Sequence, residues 1–210
     1  MEIDLHHLPI PTHILLTYLG DYKRPLDKIS YMIKRGELIS LTKGYYLPKG
    51  ALKSNKYYMY DVANTVYGPS YVSTYSALSY YGLISESTRT VSSSCFKRSR
   101  IIQNKIGTFE YKIIPENIFS IGIKNVVNDQ SSFLIANPEK ALCDLIWTSK
   151  NLKISNYSDM IYFLEEDLRF DMDFFKSADI QTFKYCIEFG KKKRELSYFL
   201  KCINVMKNVE

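Results

Sequence analysis

Along the first 50 positions the apolar residues change their spacing twice, and each change predicts a different element. From Thr12 to Leu19 the residues Ile14, Leu15, Tyr18 and Leu19 recur at helical spacing after the start signal Pro11-Thr12, which predicts a short helix. Leu26 to Arg35 predicts a second. At about 100° per residue Leu26, Ile29 and Ile33 fall on one side with Met32 at its margin, while Asp27, Lys28, Tyr31, Lys34 and Arg35 share the other. One face packs and one is basic. Gly36 follows as a C′ residue. The spacing then shortens to β segments: Leu38 to Leu41, a turn at Thr42-Lys43-Gly44, and Tyr45 to Leu47 before Pro48.

A helix with one basic face, followed at once by a small hairpin with Lys43 at its tip, has the order of a recognition helix and a wing. The helix enters a major groove and the hairpin tip touches phosphate. The same pattern also fits an amphipathic helix docked on a hairpin with its cationic face in water. Residues 50–56 read as a polar linker. Two helices are predicted beyond it, Tyr57 to Tyr67 and Ser73 to Tyr81, separated by Gly68-Pro69-Ser70 and ended by Gly82. Their tyrosines have the chemistry to stack on bases, although filling a core is the commoner use of such a set.

From Arg89 to Ile114 the chain is rich in Thr, Val, Ser, Phe and Tyr, with turn signals at Asn104 and Gly107, and reads as antiparallel strands with a basic loop at 97–100. Phe133 to Ala136 is a short apolar strand. Asn137-Pro138-Glu139 is a helix start, with an Asn cap, proline at the first helical position and an acid in the first turn. That helix runs to about Thr148. The last third is helical over Ser158 to Leu168, Asp179 to Phe189 and Lys191 to Met206, the final helix carrying an apolar stripe of Leu196, Phe199, Leu200, Ile203 and Met206. The predicted class is α+β: a short winged helix-turn-helix-like head over residues 1–49, then a mixed α/β body with C-terminal helices over residues 57–210.

Composition narrows the chemistry. With 46% hydrophobic and 24% charged residues in 210, the chain can bury a sizeable core. No apolar run approaches the ~18 residues of a membrane span and the first residues are acidic, so a soluble cytoplasmic protein with no membrane partner is expected. Cys95, Cys143, Cys186 and Cys202 are dispersed, and His6, His7 and His13 show no ligand spacing, so buried reduced thiols, no metal and no cofactor are expected. The net charge of +6 is uneven. Residues 20–56 hold nine Lys/Arg against Asp21, Asp27 and Glu37, and residues 89–112 hold six against Glu110 alone. Residues 156–179 reverse the sign, with seven acids against Arg169 and Lys176. Blocks of this kind suit separate nucleic-acid-facing and protein-facing surfaces.

Three segments together carry a family resemblance. Lys28 to Ile39 closing on Lys43-Gly44-Tyr45-Tyr46, then Tyr67-Gly68-Pro69-Ser70-Tyr71-Val72-Ser73 with Ala77 to Ile84, then Phe133-Leu134-Ile135-Ala136 with Asn137 to Leu145, resemble in order the AbiEi-like antitoxins of bacterial type IV toxin–antitoxin systems and related predicted transcriptional regulators. The resemblance implies a DNA-binding head that autorepresses a two-gene operon, a body that neutralises a nucleotidyltransferase-like toxin without the need for a stable complex, and a part in phage defence. Family heads usually carry three helices before the wing, whereas this sequence leaves room for two. The DNA contacts expected are Lys28, Tyr31, Lys34 and Arg35 on the helix, Lys43 and Tyr45 on the wing, and Lys97, Arg98 and Arg100 in the loop. An alternative is a protein-interaction antitoxin with a degenerate head and no operator binding.

Catalysis is not expected. Glu110-Tyr111-Lys112 is an E-x-K on a predicted strand, but no Asp occurs between Asp61 and Asp129 to complete a metal site. Asn137-Pro138-Glu139-Lys140 is accounted for as a helix start, and neither a phosphate-binding G-x-x-x-x-G-K-[ST] loop nor a G-x-S-x-G elbow occurs.

Overall fold

The computed structural model describes residues 9–51, 58–85, 90–128 and 131–207. His6, His7, Tyr57, Arg89 and linker positions 52–56 lie outside them. The described chain is mixed α+β with two sheets. Strand β1 (Ile10–Pro11) leads into α1 (Thr12–Tyr18) and α2 (Pro25–Lys34), followed by the hairpin β2 (Leu38–Thr42) and β3 (Tyr45–Pro48). Ile10 pairs with Tyr46 and Pro11 with Tyr45, both antiparallel, so the small sheet runs β1-β3-β2.

Ile10, Leu15, Leu19, Ile29 and Leu38 form a compact local core between these helices and the sheet. Leu26 was expected on that packing side and is 60% exposed. It sits in the first turn of α2, and the small core reaches only as far as Ile29 one turn later. The helix ends as expected, with the N–H groups of Gly36 and Glu37 donating to the carbonyls of Ile33 and Met32 at 3.0 and 2.9 Å.

The rest of the chain builds a six-stranded sheet covered by helices. In order come α3 (Tyr58–Val66), β4 (Ser70–Val72), α4 (Thr74–Tyr80), β5 (Thr90–Cys95), β6 (Arg100–Asn104), β7 (Gly107–Ile113), β8 (Ile123–Asn128), β9 (Ser131–Ala136) and α5 (Pro138–Thr148). Then follow α6 (Tyr157–Tyr162), which continues as a π-helical turn Phe163–Asp167, α7 (Phe174–Ser177), α8 (Ile180–Phe189) and α9 (Lys193–Lys207). The sheet order is β6-β7-β5-β4-β9-β8.

The strands between 90 and 113, expected to be antiparallel, pair in both senses. The tight turn before Gly107 makes β6 and β7 an antiparallel hairpin, but β7 inserts between β6 and β5 and so pairs with β5 in parallel. β4 is antiparallel to β5 and parallel to β9.

One continuous apolar core joins this sheet to α5, α8 and α9, and Leu41 and Leu47 of the hairpin belong to it. The Asn104 side-chain amide donates to the Leu41 carbonyl at 2.9 Å, which ties the hairpin to the end of β6. All four cysteines are buried and free. Among the described residues no helix is long and apolar enough to cross a membrane.

Candidate nucleic-acid interface

The basic side of α2 is a ladder of alternating cations and rings. Pro25 starts the helix and Asp27 sits in its first turn, paired with Arg24 at 2.7 Å. The Lys28 ammonium lies 5.3 Å from the Tyr22 ring centroid and 5.4 Å from that of Tyr31. The Arg35 guanidinium lies 5.5 Å from the Tyr31 centroid, donates to the Tyr31 hydroxyl at 3.0 Å and meets the Glu37 carboxylate at 3.1 Å. Positions 28, 31 and 35 share a helix face because their spacing is close to whole turns. Each cation–ring contact at such an exposed site contributes roughly 0.5–1 kcal/mol, enough to hold the side chains in a row without removing their charge from solvent. Tyr22 and Tyr31 are each about half exposed, and Lys34 is exposed beside them.

The hairpin turn is a two-residue one, with Thr42 paired to Tyr45 and Lys43-Gly44 between them. Gly44 has φ +89°, a conformation a side chain would resist. Its carbonyl accepts from the Thr12 N–H at 2.9 Å and the Thr12 hydroxyl at 3.2 Å, so the turn is tied to the start of α1. Lys43 projects from this anchored turn and is exposed. Tyr45 instead packs, partly buried, against the large core.

The loop with Lys97 and Arg98 connects β5 to β6. Both residues are exposed, and the Arg98 carbonyl accepts from the Tyr67 hydroxyl at 2.9 Å. Arg100 pairs across the strands with Tyr111, shares its face, and holds its guanidinium 5.6 Å from the Tyr67 ring centroid. The hairpin meets β6 at Asn104, whereas the loop lies at the Arg100 end. Five residues of strand, with a rise of roughly 13 Å, therefore separate the loop from that contact. The nine expected contacts thus divide into the α2 ladder with Lys34 beside it, Lys43 on the hairpin turn, the loop cations, and Tyr45 packed against the core.

Two features escaped the sequence reading. An open cleft of about 910 Å³ is lined by Tyr75, Ser99, Glu110, Lys112, Trp147 and Lys150 among others. Glu110 and Lys112, the E-x-K pair, point into it and meet each other at 3.4 Å. Among the described residues no group of three His, Cys, Asp or Glu side chains could hold a metal ion.

The second feature is a buried polar hub on α5. Asn137 caps this helix as expected, accepting from the Lys140 N–H at 2.9 Å. Lys140 and Asp144, one turn apart and both fully buried, form an ion pair. The other Asp144 oxygen accepts from the hydroxyls of Tyr71 at 2.8 Å, Ser73 at 2.7 Å and Ser94 at 2.9 Å. The Lys140 ammonium also lies 4.9 Å from the Trp147 ring. Burial, followed by the adjacent Asp144 charge, pushes the Tyr71 hydroxyl well above its ordinary range. Burial first, and then Cys186 beside it, pushes the Cys143 thiol well up. The fully buried hub joins α5 to β4 and β5.

Neither protein-family models nor curated proteins yield a match to this chain.

Proposed function

We propose that this chain is the DNA-binding antitoxin of a type IV, AbiE-like toxin–antitoxin pair, repressing its own operon through the head and countering a nucleotidyltransferase-like toxin through the body. The observation that carries the DNA-binding half is the cation–ring ladder of α2, in which the partly exposed Lys28 and the exposed Tyr31 and Arg35 stand in one row. The order strand, two helices, hairpin, with β1 paired to β3, supports reading the head as a reduced winged helix whose recognition helix is α2. Side chains held in a row lose less freedom on meeting phosphates than free ones do. The antitoxin half rests on the three-segment resemblance.

A promoter–reporter assay with the full-length chain tests the reading. The wild-type chain represses its own promoter, and Tyr31→Ala with Arg35→Ala releases repression while leaving rescue from the neighbouring toxin intact. Loss of rescue with repression untouched would reverse the assignment of roles. A second reading, a protein-interaction antitoxin whose head binds no operator, is favoured by the commitment of Leu41, Leu47 and Tyr45 to the body core. It predicts rescue without any repression by the wild-type chain.

A further inference from the structure

We propose that the cleft between the β6–β7 edge and the C-terminal end of α5 is a nucleotide site, taking a base against its aromatic wall and a phosphate on its lysines, independently of operator binding by the head. A volume of about 910 Å³ lies in the range of small-ligand sites and has room for one or two nucleotides but not for a duplex. Tyr75 and Trp147, both partly exposed, supply ring surface over the buried Phe163, and Ile101, 67% exposed, adds an apolar rim. Bare apolar and aromatic surface at a cleft mouth is what an unstacked base covers.

The charge in the cleft selects an anion. Lys112 and Lys150 face a single carboxylate, Glu110, and the 3.4 Å contact between Lys112 and Glu110 is looser than a charge-assisted hydrogen bond of about 2.8 Å. Arg100 also lines the cleft, with its guanidinium 5.6 Å from the Tyr67 ring centroid.

The end of α5 would ordinarily repel a phosphate, because the last carbonyls of a helix carry partial negative charge. Here the Lys192 ammonium donates to the carbonyls of Ile146 at 2.7 Å and Ser149 at 2.9 Å and cancels that charge beside the cleft. A smaller cavity of about 380 Å³, lined by Ile114, Pro115, Lys191 and Lys192, adjoins the cleft across Ile113 and Trp147. The exposed Lys97 and Arg98 stand just before Ser99, which lines the cleft, and suit the approach of a polyanion.

Trp147 is the only tryptophan in the chain, so its fluorescence reports on the cleft directly. The experiment titrates full-length protein with 5′-AMP, with ribose 5-phosphate and with a tetra-adenylate strand. AMP or the tetra-adenylate quenches Trp147 saturably, and ribose 5-phosphate, which lacks the base, binds at least tenfold more weakly. Equal affinity for AMP and the strand identifies a free or terminal nucleotide; tighter binding of the strand identifies single-stranded nucleic acid. Lys150→Ala, at an exposed position, and Lys112→Ala together weaken binding at least tenfold. Glu110→Gln, which removes the competing carboxylate, strengthens it. Absence of saturable quenching by both AMP and the strand overturns the proposal, as does wild-type affinity in the double lysine variant or weaker binding in Glu110→Gln.

Discussion

Replacing Asp144 with alanine takes the acceptor from four buried partners at once. The Lys140 ammonium, with no solvent exposure, would be left as an uncompensated buried charge, which costs about 3–5 kcal/mol. The hydroxyls of Tyr71, Ser73 and Ser94 would each lose a bond to a charged acceptor, worth about 1.5–3 kcal/mol apiece before relaxation. Relaxation recovers part of this, but even the first contribution is a large share of the roughly 5–15 kcal/mol that stabilises a typical domain.

Lys140→Met is a different perturbation. It too leaves a buried charge without its partner, but the Asp144 carboxylate still accepts three O–H bonds at 2.7–2.9 Å that offset part of that cost, and an apolar chain of similar length lies against Trp147. Asp144→Ala should therefore be the costlier change, lowering stability by at least about 3 kcal/mol or preventing folding, with Lys140→Met milder. Urea unfolding followed by Trp147 fluorescence measures both, with the midpoint compared at a common slope. An Asp144→Ala protein within about 1 kcal/mol of wild type, or a costlier Lys140→Met, would refute the hub as a charge-centred network.

Further outcomes follow from other parts of the fold. Gly122→Ala should destabilise the start of α5: φ is +65° there, and a Cβ would lie 2.7 Å from the Asn137 side-chain oxygen and 2.9 Å from Lys140 Cβ; thermal unfolding would show a lowered Tm. Burial pushes the Tyr58 and Tyr81 hydroxyls up to about 12 from an ordinary 10, with Asp61 adding to the first and Tyr80 to the second. Because the folded state keeps these protons longer than the unfolded one, their contribution is fully present below pH 10 and is lost as pH rises toward 12. Urea midpoints measured between these limits should fall, and flat midpoints would contradict the burial of these rings. Glu37→Gln frees Arg35 from its partner at 3.1 Å and should tighten DNA binding by up to about fivefold, the scale of an exposed ion pair, as read by duplex anisotropy.

The elements with strong local signals were readable from the residues, and those set by distant partners were not. α1, α2, the β2–β3 hairpin and the capped start of α5 follow from spacing, Gly44 and Asn137, and each appears within a residue or two of its predicted bounds. β4 hid between two helices as the three residues Ser70–Val72, whose strand state comes from β5 and β9 on either side. β8 was diluted by Lys124, Asn125 and Asn128, and it is held by pairing with β9. The parallel β5–β7 pairing depends on which strand fills the gap after β5, a tertiary choice with no local signature.

The candidate site divides along the same line. The ladder residues Lys28, Tyr31 and Arg35 were visible from helical periodicity, while Tyr22 joins them only through the turn after α1. Tyr45 looked like a wing residue by position and packs in the core because the hairpin docks on β6. Lys140 and Asp144 carried a visible i,i+4 spacing, yet their burial depends on Tyr71, Ser73 and Ser94 from strands and turns far away in sequence.

If α2 meets DNA phosphates as proposed, binding must depend on salt through its cations. Full-length protein is titrated onto a duplex from its own promoter across a salt series, with Lys34→Ala combined with Arg35→Ala as the comparison. Each lost phosphate contact removes about one from the slope of log affinity against log salt, so the double variant should bind more weakly with a slope shallower by about two. An affinity and a slope both equal to wild type would mean that Lys34 and Arg35 meet no phosphate.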